Sequence, residues 1–427
     1  MNIKHTYISF KVLLKKNRAL KICVRIFFVF VLVAALAPVL ANDRPLVFKY
    51  KGNWLFPAFS LKHQQIISGN ETLNYNMGND WKLLNAEFKL FAPCAYSPNT
   101  IDAANAPRVS PFDQQTFSLN TENIAMPLQF RHWLGTTQNG NDVLSGIIHG
   151  TRISLSVGIF SMLIASLIGI FLGACAGYFE NNMIKIGYIQ LLFLMIGIFC
   201  SYFYVFVIKA EQLSASFQTG GLVLFIRLLF SGSVFYLTLT YLWHCGLYID
   251  RKLNTSHKFN FPVDTIVSRV IEVLNSIPAL LLIIAISALA KPSYSLLIVI
   301  IGFLSWTTVA RLTRAEYLKT KQFDYVTSSK AIGMSDRGII LKQILPNVFP
   351  ILLVQIIFGM AGAVLIEASL SFIGVGIPSN TVSWGSLLNE ARDHFSAWWL
   401  VVFPGLCVFV LIFIYNRIAT ELSKINK

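Results

Sequence analysis

The sequence predicts an all-α polytopic membrane protein of about eight transmembrane helices, and three observations carry that reading. The 427 residues are 55% hydrophobic and only 13% charged, with 34 phenylalanines, whereas soluble domains carry about one quarter charged residues. Apolar stretches of about 20 residues, the length that crosses a hydrocarbon core, recur near 22–41, 153–176, 184–208, 221–248, 270–290, 293–310, 348–374 and 398–416. Lysine and arginine gather in alternate connections. A net charge of +15 is thereby explained by a cytoplasmic face, with no nucleic-acid partner.

The elements follow in order. Residues 1–21 form a basic N-terminus, and residues 1–25 hold seven Lys or Arg and no Asp or Glu. The first span, 22–41, ends in "AALAPVLAND", which also fits a signal-peptide cleavage site; an uncleaved anchor is the reading adopted, because the basic segment before it is long. Residues 42–152 are polar, with nine basic and eight acidic residues. They read as an extracytoplasmic insert, either a small β-containing or irregular domain or a loop packed on the membrane face. The span at 153–176 carries "GIFLGACAGYF" and that at 348–374 carries "FGMAGAVLIEASLSFIGVG". Small residues allow close helix approach in lipid, so both are expected inside the bundle.

Orientation comes from the short connections. The 249–269 segment holds Arg251, Lys252, Lys258 and Arg269, the 311–347 segment holds seven basic residues, and the tail holds Arg417, Lys424 and Lys427. The 209–220 and 291–292 connections hold one lysine each, and 375–397 holds only Arg392. With eight spans, both termini and every basic connection fall on the cytoplasmic side.

Catalytic chemistry has little to stand on. There is no GxxxxGKS/T loop for ATP phosphates, no HExxH and no GxSxG. The seven histidines are scattered and each reads as a surface or interface residue. The six cysteines read as isolated structural thiols, with Cys94 alone in a polar region and no CxxC pair for a metal. Ionisable residues inside spans are functional candidates by default, and Arg227, Glu272 and Glu367 stand out among the few. Arg227 lies where it could snorkel to an interface. Glu272 lies one turn from Arg269 and suits a local ion pair. Glu367 is the deepest, a structural or path-lining carboxylate.

The segment "DYVTSSKAIGMSDRGIILKQILPN", residues 324–347, is polar and basic between two apolar spans. Asp324 suits the N-cap of a helix from Tyr325 to Ile332, with Gly333 as its left-handed terminator. Ser335 suits the cap of a second helix to Leu345, with Asp336 in its first turn and Pro346 marking the passage into the next span. A surface helix followed by a rising one is the expectation; an ordinary basic interfacial loop is the plainer alternative.

These residues resemble the EAA loop of ABC-importer permeases. Thr327, Ser328 and Ser329 stand at the Glu-Ala-Ala positions, Gly333 at the glycine, and Leu345-Pro346 at the Leu-Pro that follows. The ending "ILPN" is similar to the oligopeptide, dipeptide and nickel branch. In the same order, "YSPNTIDAANAP" (96–107), "HWLGTTQNGNDVLSGIIHGTRISLSVG" (132–158), "VDTIVSRVIEVLNSIPALLL" (263–282), "EASLSFIGVGIPSNTVSWGSLL" (367–388) and "AWWLVVFPGL" (397–406) resemble that branch, mainly over 92–179 and 262–420. Departures are Thr327 for the glutamate, Gln343 for a frequent histidine, and Gly135-Thr136-Thr137 and Gly140-Asn141-Asp142 for a GTD and GRD pattern. Two insertions stand out, the enlarged 42–95 region and two extra spans at about 184–248.

The resemblance implies a permease domain over 153–420, a six-helix importer core plus an inserted hairpin, with a coupling loop at 311–347 and a cytoplasmic tail at 421–427. It implies an inner-membrane transport subunit for peptides or a related small solute, working by alternating access. Implied partners are a homologous permease subunit, two ABC ATPase subunits that bind the ATP, an extracytoplasmic solute-binding protein and the lipid bilayer; the chain itself takes no cofactor and no metal. The implied ATPase-coupling residues are Asp324, Tyr325, Thr327, Ser328, Ser329, Ala331, Ile332, Gly333, Leu345 and Pro346. Rival readings are an ion-coupled secondary transporter and a membrane anchor or assembly protein.

Overall fold

The computed structural model describes residues 17–50, 52–59, 64–68, 71–74, 80–83, 86–119, 122–183, 185–209, 212, 221–253, 258–289, 292–375, 378, 381–394 and 396–424. The expected basic residues 1–16, most of the 209–220 connection and residues 425–427 lie outside the described residues. The described chain is mostly helical and divides into two units, one of residues 161–356 and one of the segments before and after it.

The unit built from the two ends begins with α1 (Arg18–Leu40), whose first amides at Ala19 and Leu20 donate to the Asn17 side chain at 3.1 and 3.3 Å. Its Phe27, Phe30 and Ala34 pack on a buried cluster that includes Leu155, Val364, Ala368, Trp384, Leu411 and Tyr415. The helix end is tied down as well: the Cys94 amide donates to Leu40 O at 3.0 Å, and the Asn42 amide to Cys94 O at 3.1 Å. Between α1 and the next long helix the chain is β-containing. Strands β1 (Val47–Tyr50), β2 (Asn53–Leu55) and β5 (Phe88–Leu90) form an antiparallel sheet in the order β2-β1-β5. Two hairpins, β3 (Gln64–Ser68) with β4 (Glu71–Asn74) and β6 (Thr116–Leu119) with β7 (Glu122–Ala125), fall between β2 and β5 and after β5 respectively. Phe48, Leu55, Trp81, Phe91 and Ala95 make a small core of their own.

Helix α2 (Val143–Phe179) starts well before the expected residue 153. The cause is a cap: the Asp142 carboxylate accepts from the Ser145 amide at 2.6 Å, so the helix is nucleated in the polar region ahead of the apolar run.

In the unit of residues 161–356, the ribbon β8 (Lys185–Gly187) with β9 (Lys258–Asn260) closes the foot of a helical hairpin, α3 (Tyr188–Tyr202) and α4 (Gly221–Leu253). The α3 helix is prolonged by π-type turns over Phe203–Ile208. The expected single span at 270–290 is instead a bent pair, α5 (Val263–Ser276) and α6 (Ala279–Leu289), at 75° to one another. Pro278 explains the break. The residue before proline is pushed out of the helical region, and Ile277 sits at φ −99°, ψ 128°. Helix α7 (Tyr294–Thr320) follows, then the short α8 (Asp324–Ala331), and then α9 (Asp336–Ile373), which runs on into the other unit. That unit closes with α10 (Trp384–Ala391) and α11 (Trp399–Ser423).

The expected spans are mainly helical where described, except that the 184–208 span opens on the strand β8 and the 270–290 span is broken at Ile277–Pro278. Among the described residues, five helices are long and apolar enough to cross a membrane, or six with the bent pair as one span. Of the inserted hairpin, α3 is a shorter apolar helix of 15 residues and α4 is not among those five. The glycine expectation holds for α2. A Cβ on Gly169, Gly173 or Gly177 would lie within 2.9 Å of α7 atoms, including Trp306 O, Ala310 O and Arg314 O. The two backbones therefore touch. In α9 the small residues Ala361, Ala363 and Ala368 are buried and a Cβ on Gly385 would lie 2.5 Å from Ala368 O, whereas Gly362 has nothing within 4 Å.

Candidate functional site

The coupling segment is built from its punctuation. After α7 the chain turns at Lys321 and Gln322, Phe323 takes an extended conformation (φ −75°, ψ 144°), and α8 begins at Asp324. The cap is therefore Phe323, with no side-chain hydrogen bond, and Asp324 falls inside the first turn. This corrects the expected Asp324 cap; the turn closing α7 is complete one residue earlier than the sequence suggests. Asp324 still faces the positive end of the helix dipole. The C-terminus matches its expectation. Gly333 has φ +81°, its amide donates to Lys330 O at 3.0 Å, and the Met334 amide donates to Ser329 O at 3.1 Å. That is the Schellman pair of bonds, and it needs a left-handed residue at this position.

Beyond the turn, Ser335 accepts from the Gly338 amide at 3.3 Å and caps α9 as expected. The second helix does not stop at Leu345-Pro346. Its turns widen to π geometry over Ile339–Ile344, the Leu345 amide bonds back to Ile340 O, and the helix continues through Pro346 into the span. The widening has a physical cause. In α geometry the proline ring would collide with the carbonyl four residues earlier, and a π turn opens that register.

Three elements brace this segment. Val326 of α8 packs with Ile339 and Ile344 of α9, Tyr317 of α7, and Ala174 and Tyr178 of α2. The Tyr178 hydroxyl donates to Asp336 Oδ1 at 2.6 Å, and the Tyr317 hydroxyl to Ile340 O at 3.3 Å. Lys321 Nζ donates to Tyr178 O at 2.8 Å and to Glu180 Oε1 at 3.0 Å. Asn347 Nδ2 donates to the Tyr325 hydroxyl at 3.0 Å. Nearby, Arg314 forks onto Asp264, with Nη2 to Oδ2 at 2.6 Å and Nε to Oδ1. Tyr178, Lys321 and Asp264 had no sequence signal, because nothing local marks a side chain that bonds a partner 50 to 158 residues away.

What the segment presents outward is mixed, with Tyr325, Ile332 and small residues beside the charged Asp324 and Lys330. Asp324, Tyr325, Thr327, Ser328, Ala331, Ile332 and Gly333 are exposed, and Ile332 is 82% exposed. Phe323 and Tyr325 flank a groove of about 280 Å³ that also takes Glu316, Lys319 and Asn347. Ser329 is buried, with its hydroxyl donating to Tyr325 O at 2.7 Å, so it supports the helix rather than facing outward. Leu345 and Pro346 are half-buried.

The intramembrane carboxylates separate. Glu367 is fully buried, its Oε2 accepting from Ser154 Oγ at 2.9 Å and its Oε1 from Ser371 Oγ at 3.0 Å. Ser383 bonds it as well. Such a carboxylate fastens α2, α9 and the cap of α10. Glu272 is exposed and pairs with Arg269 at 2.6 Å, the local ion pair expected. Arg227 donates to Gln212 O.

One histidine corrects its reading. His132 is 0% exposed and lies between two carboxylates, Nδ1 at 2.8 Å from Asp142 and Nε2 at 3.2 Å from Asp102. Tyr96 stacks on its ring at 4.1 Å between centroids, and Lys82 Nζ lies 3.3 Å from the centroid of that same Tyr96 ring. Burial alone would lower the His132 pKa, but the bonds to Asp102 and Asp142 outweigh it and hold it above the usual value. Burial likewise works to raise Asp102, and the bonds from His132 and Asn105 outweigh it and hold it low. Burial pulls Lys82 down to about 8. Cys94 donates to Asp142 Oδ2 at 3.1 Å and is a free thiol, as are the other five cysteines. Among the described residues no group of three or more His, Cys, Asp or Glu is arranged to hold a metal.

Comparison with known proteins places this arrangement. Residues 254–424 match the family described as binding-protein-dependent transport system inner membrane component. The inner membrane ABC transporter permease protein YejE of Escherichia coli is 27% identical over 391 residues, 91% of this chain and 86% of the relative. A putative peptide transport system permease of Brucella suis is 39% identical over 163 residues, 38% of this chain and 55% of the relative. The dipeptide transport system permease DppC of Bacillus subtilis is 27% identical over 323 residues, 75% of each chain.

Proposed function

We propose, for a chain whose residues 254–424 are a binding-protein-dependent transport system inner membrane component domain, that it is the permease subunit of an ATP-driven importer for peptides. It is a multi-pass membrane protein. It works beside a homologous permease subunit, two ATPase subunits that hydrolyse the ATP, and an extracytoplasmic binding protein that delivers the solute. The DppC and peptide-permease likenesses support the substrate class.

The observation that carries the reading is the exposed helix α8, ended by the left-handed Gly333 and braced from behind by Tyr178, Tyr317 and Ile339. A short helix with Tyr325 and Ile332 exposed on its outer face and a rigid base is a docking handle: it offers Tyr325 and Ile332 to a cleft and passes displacement to α2, α7 and α9. ATPase closure pushes α8, and the core spans rock between two packed arrangements. Asp324, Tyr325, Thr327, Ser328, Ala331, Ile332 and Gly333 make the contact in this reading; Ser329, Leu345 and Pro346 hold its shape. Glu367 is structural. The basic connections lie in the cytoplasm with both termini, and 42–142 lies outside with 375–397. Two groupings support that placement. Residues 178–183, 258–265 and 314–340 pack together, through Lys321–Glu180 and Arg314–Asp264. The Trp399 indole likewise donates to Thr136 O at 3.1 Å. The packing of α1 supports an uncleaved anchor.

The test is purification of the chain from its native membrane. ATPase subunits accompany the unaltered chain and are lost from Ile332→Asp and Tyr325→Ala variants that still insert. Retention of the ATPases by both variants, or their absence from the unaltered preparation, would defeat the reading.

A further inference from the structure

A second polar site lies in the unit built from the chain ends. A cleft of about 320 Å³ is lined by Asn99, Thr137, Asn139 and Asn141 on one wall and by Leu387 and Glu390 of α10 on the other. Its amide wall is a preformed turn. The Thr137 amide donates to Asn141 O at 2.9 Å, the Gly140 amide to Thr137 O at 3.1 Å, and the Asp102 amide to Gly140 O at 3.2 Å. Gly140 stands at φ +80°, and a Cβ there would meet Asp102 O at 2.1 Å, so only glycine closes this turn.

Glu390 is the unusual member. It sits in the last turn of α10, where the helix dipole favours a cation and opposes a carboxylate. Its carboxylate receives the Gln138 amide at 3.4 Å and a bond from Thr137, and Arg108 acts on it from a distance. No described lysine, arginine or histidine comes within ion-pair distance of it. Burial raises its pKa, outweighing those groups, as expected of a carboxylate still short of a cationic partner. A carboxylate without a counter-ion, facing a rigid wall of side-chain amides across a cleft with an apolar floor, suits a primary ammonium attached to a peptide backbone.

We infer that this cleft is an outer-face subsite of the permease that holds the free N-terminal ammonium of a short peptide, with Glu390 as its counter-ion and Asn99, Asn139 and Asn141 hydrogen-bonding the first peptide units. The inference rests on the peptide-importer reading and adds a binding residue to it.

The experiment uses the assembled importer in lipid nanodiscs, without the soluble binding protein, titrated with trialanine, N-acetyl-trialanine and trialanine amide. Trialanine and its amide are expected to bind alike. N-acetylation, or Glu390→Gln, should weaken binding about tenfold or more, the loss of one charge-assisted hydrogen bond. Equal binding of trialanine and N-acetyl-trialanine by the unaltered importer would overturn the inference, and that comparison stands even if the variant fails to fold. Unchanged trialanine binding by a folded Glu390→Gln importer would overturn it too. Peptide uptake by the unaltered importer, measured with its binding protein present, separates the two claims: uptake with no acetylation effect removes only the cleft, whereas uptake of no peptide at all removes the importer reading.

Discussion

At the residue scale, Gly333 and His132 show how far local sequence carries. Gly333 was legible because a glycine after a polar helix run has one common use, and the φ of +81° fulfils it. Nothing lies within 4 Å of a Cβ there, so a substitution acts through backbone strain alone. Gly333→Val should cost about 1–2 kcal/mol locally and release the ATPase subunits, while Gly333→Asn, which tolerates the left-handed region, should retain them; pull-down of the importer checks both. His132 was not legible, since its partners Asp102 and Asp142 are brought to it by tertiary folding. Its raised pKa has a stability consequence. The stabilisation is fully present below the unfolded value and is lost as pH rises through the higher folded one. Asp102, held low, contributes above its unfolded value and loses that contribution as pH falls. Lys82, at about 8, is charged below that pH at the expense of burial, so its penalty lifts only as pH rises past about 8. From about pH 5.5 to 7.5 the histidine therefore dominates. Amide exchange at Val109, Thr136 and His132, corrected for intrinsic rates, should quicken across that range, and His132→Gln should abolish the dependence.

At the element scale, the sequence showed spans and punctuation better than it showed shape. The Ser335 cap and the α8 stop are local chemistry and were readable. The bend at Ile277–Pro278 was hidden inside a continuous apolar run, and the π turns over Ile339–Ile344 follow from Pro346 meeting a helix that packing requires to continue. The glycine face of α2 was readable as small residues, but only the structure pairs it with α7. A Cβ at residue 173 would lie 2.5 Å from Ala310 O, a backbone atom that has no rotamer by which to yield. Gly173→Val should therefore destabilise the chain by about 1–3 kcal/mol or more and lower its detergent melting temperature. The Tyr178–Asp336 bond makes the opposite kind of expectation. Tyr178→Phe removes one hydroxyl and about 1 kcal/mol; the ATPase subunits should stay bound while uptake per ATP hydrolysed falls, because the handle is held but less firmly joined to α2.

At the scale of the whole molecule, apolar length and charge asymmetry were enough for a multi-pass membrane protein, and ordered motifs were enough for a resemblance to the permease family that residues 254–424 match. The 42–152 region was legible as an insert, with a small β-containing or irregular domain as one of two readings, but its strand pairing was not, because the short strands are joined by aromatic contacts such as Phe48 on Trp81 that no periodicity announces. The role of α1 turned on tertiary packing too. With Phe27 on Tyr415 and Ala41 bridged to Cys94, the first helix belongs to the fold, and intact-mass measurement of the chain from membranes should find residues 18–41 still attached. The central claim, that α8 is the cytoplasmic handle for an ATPase, joins orientation to function and can be read in one measurement. A photocrosslinking amino acid is placed at position 332 in one preparation and at the exposed position 128 in another, and each is irradiated in native membranes. The account requires an ATPase crosslink from position 332 and none from position 128; an ATPase crosslink from 128, or none from 332 in an importer that still takes up peptide, would contradict it.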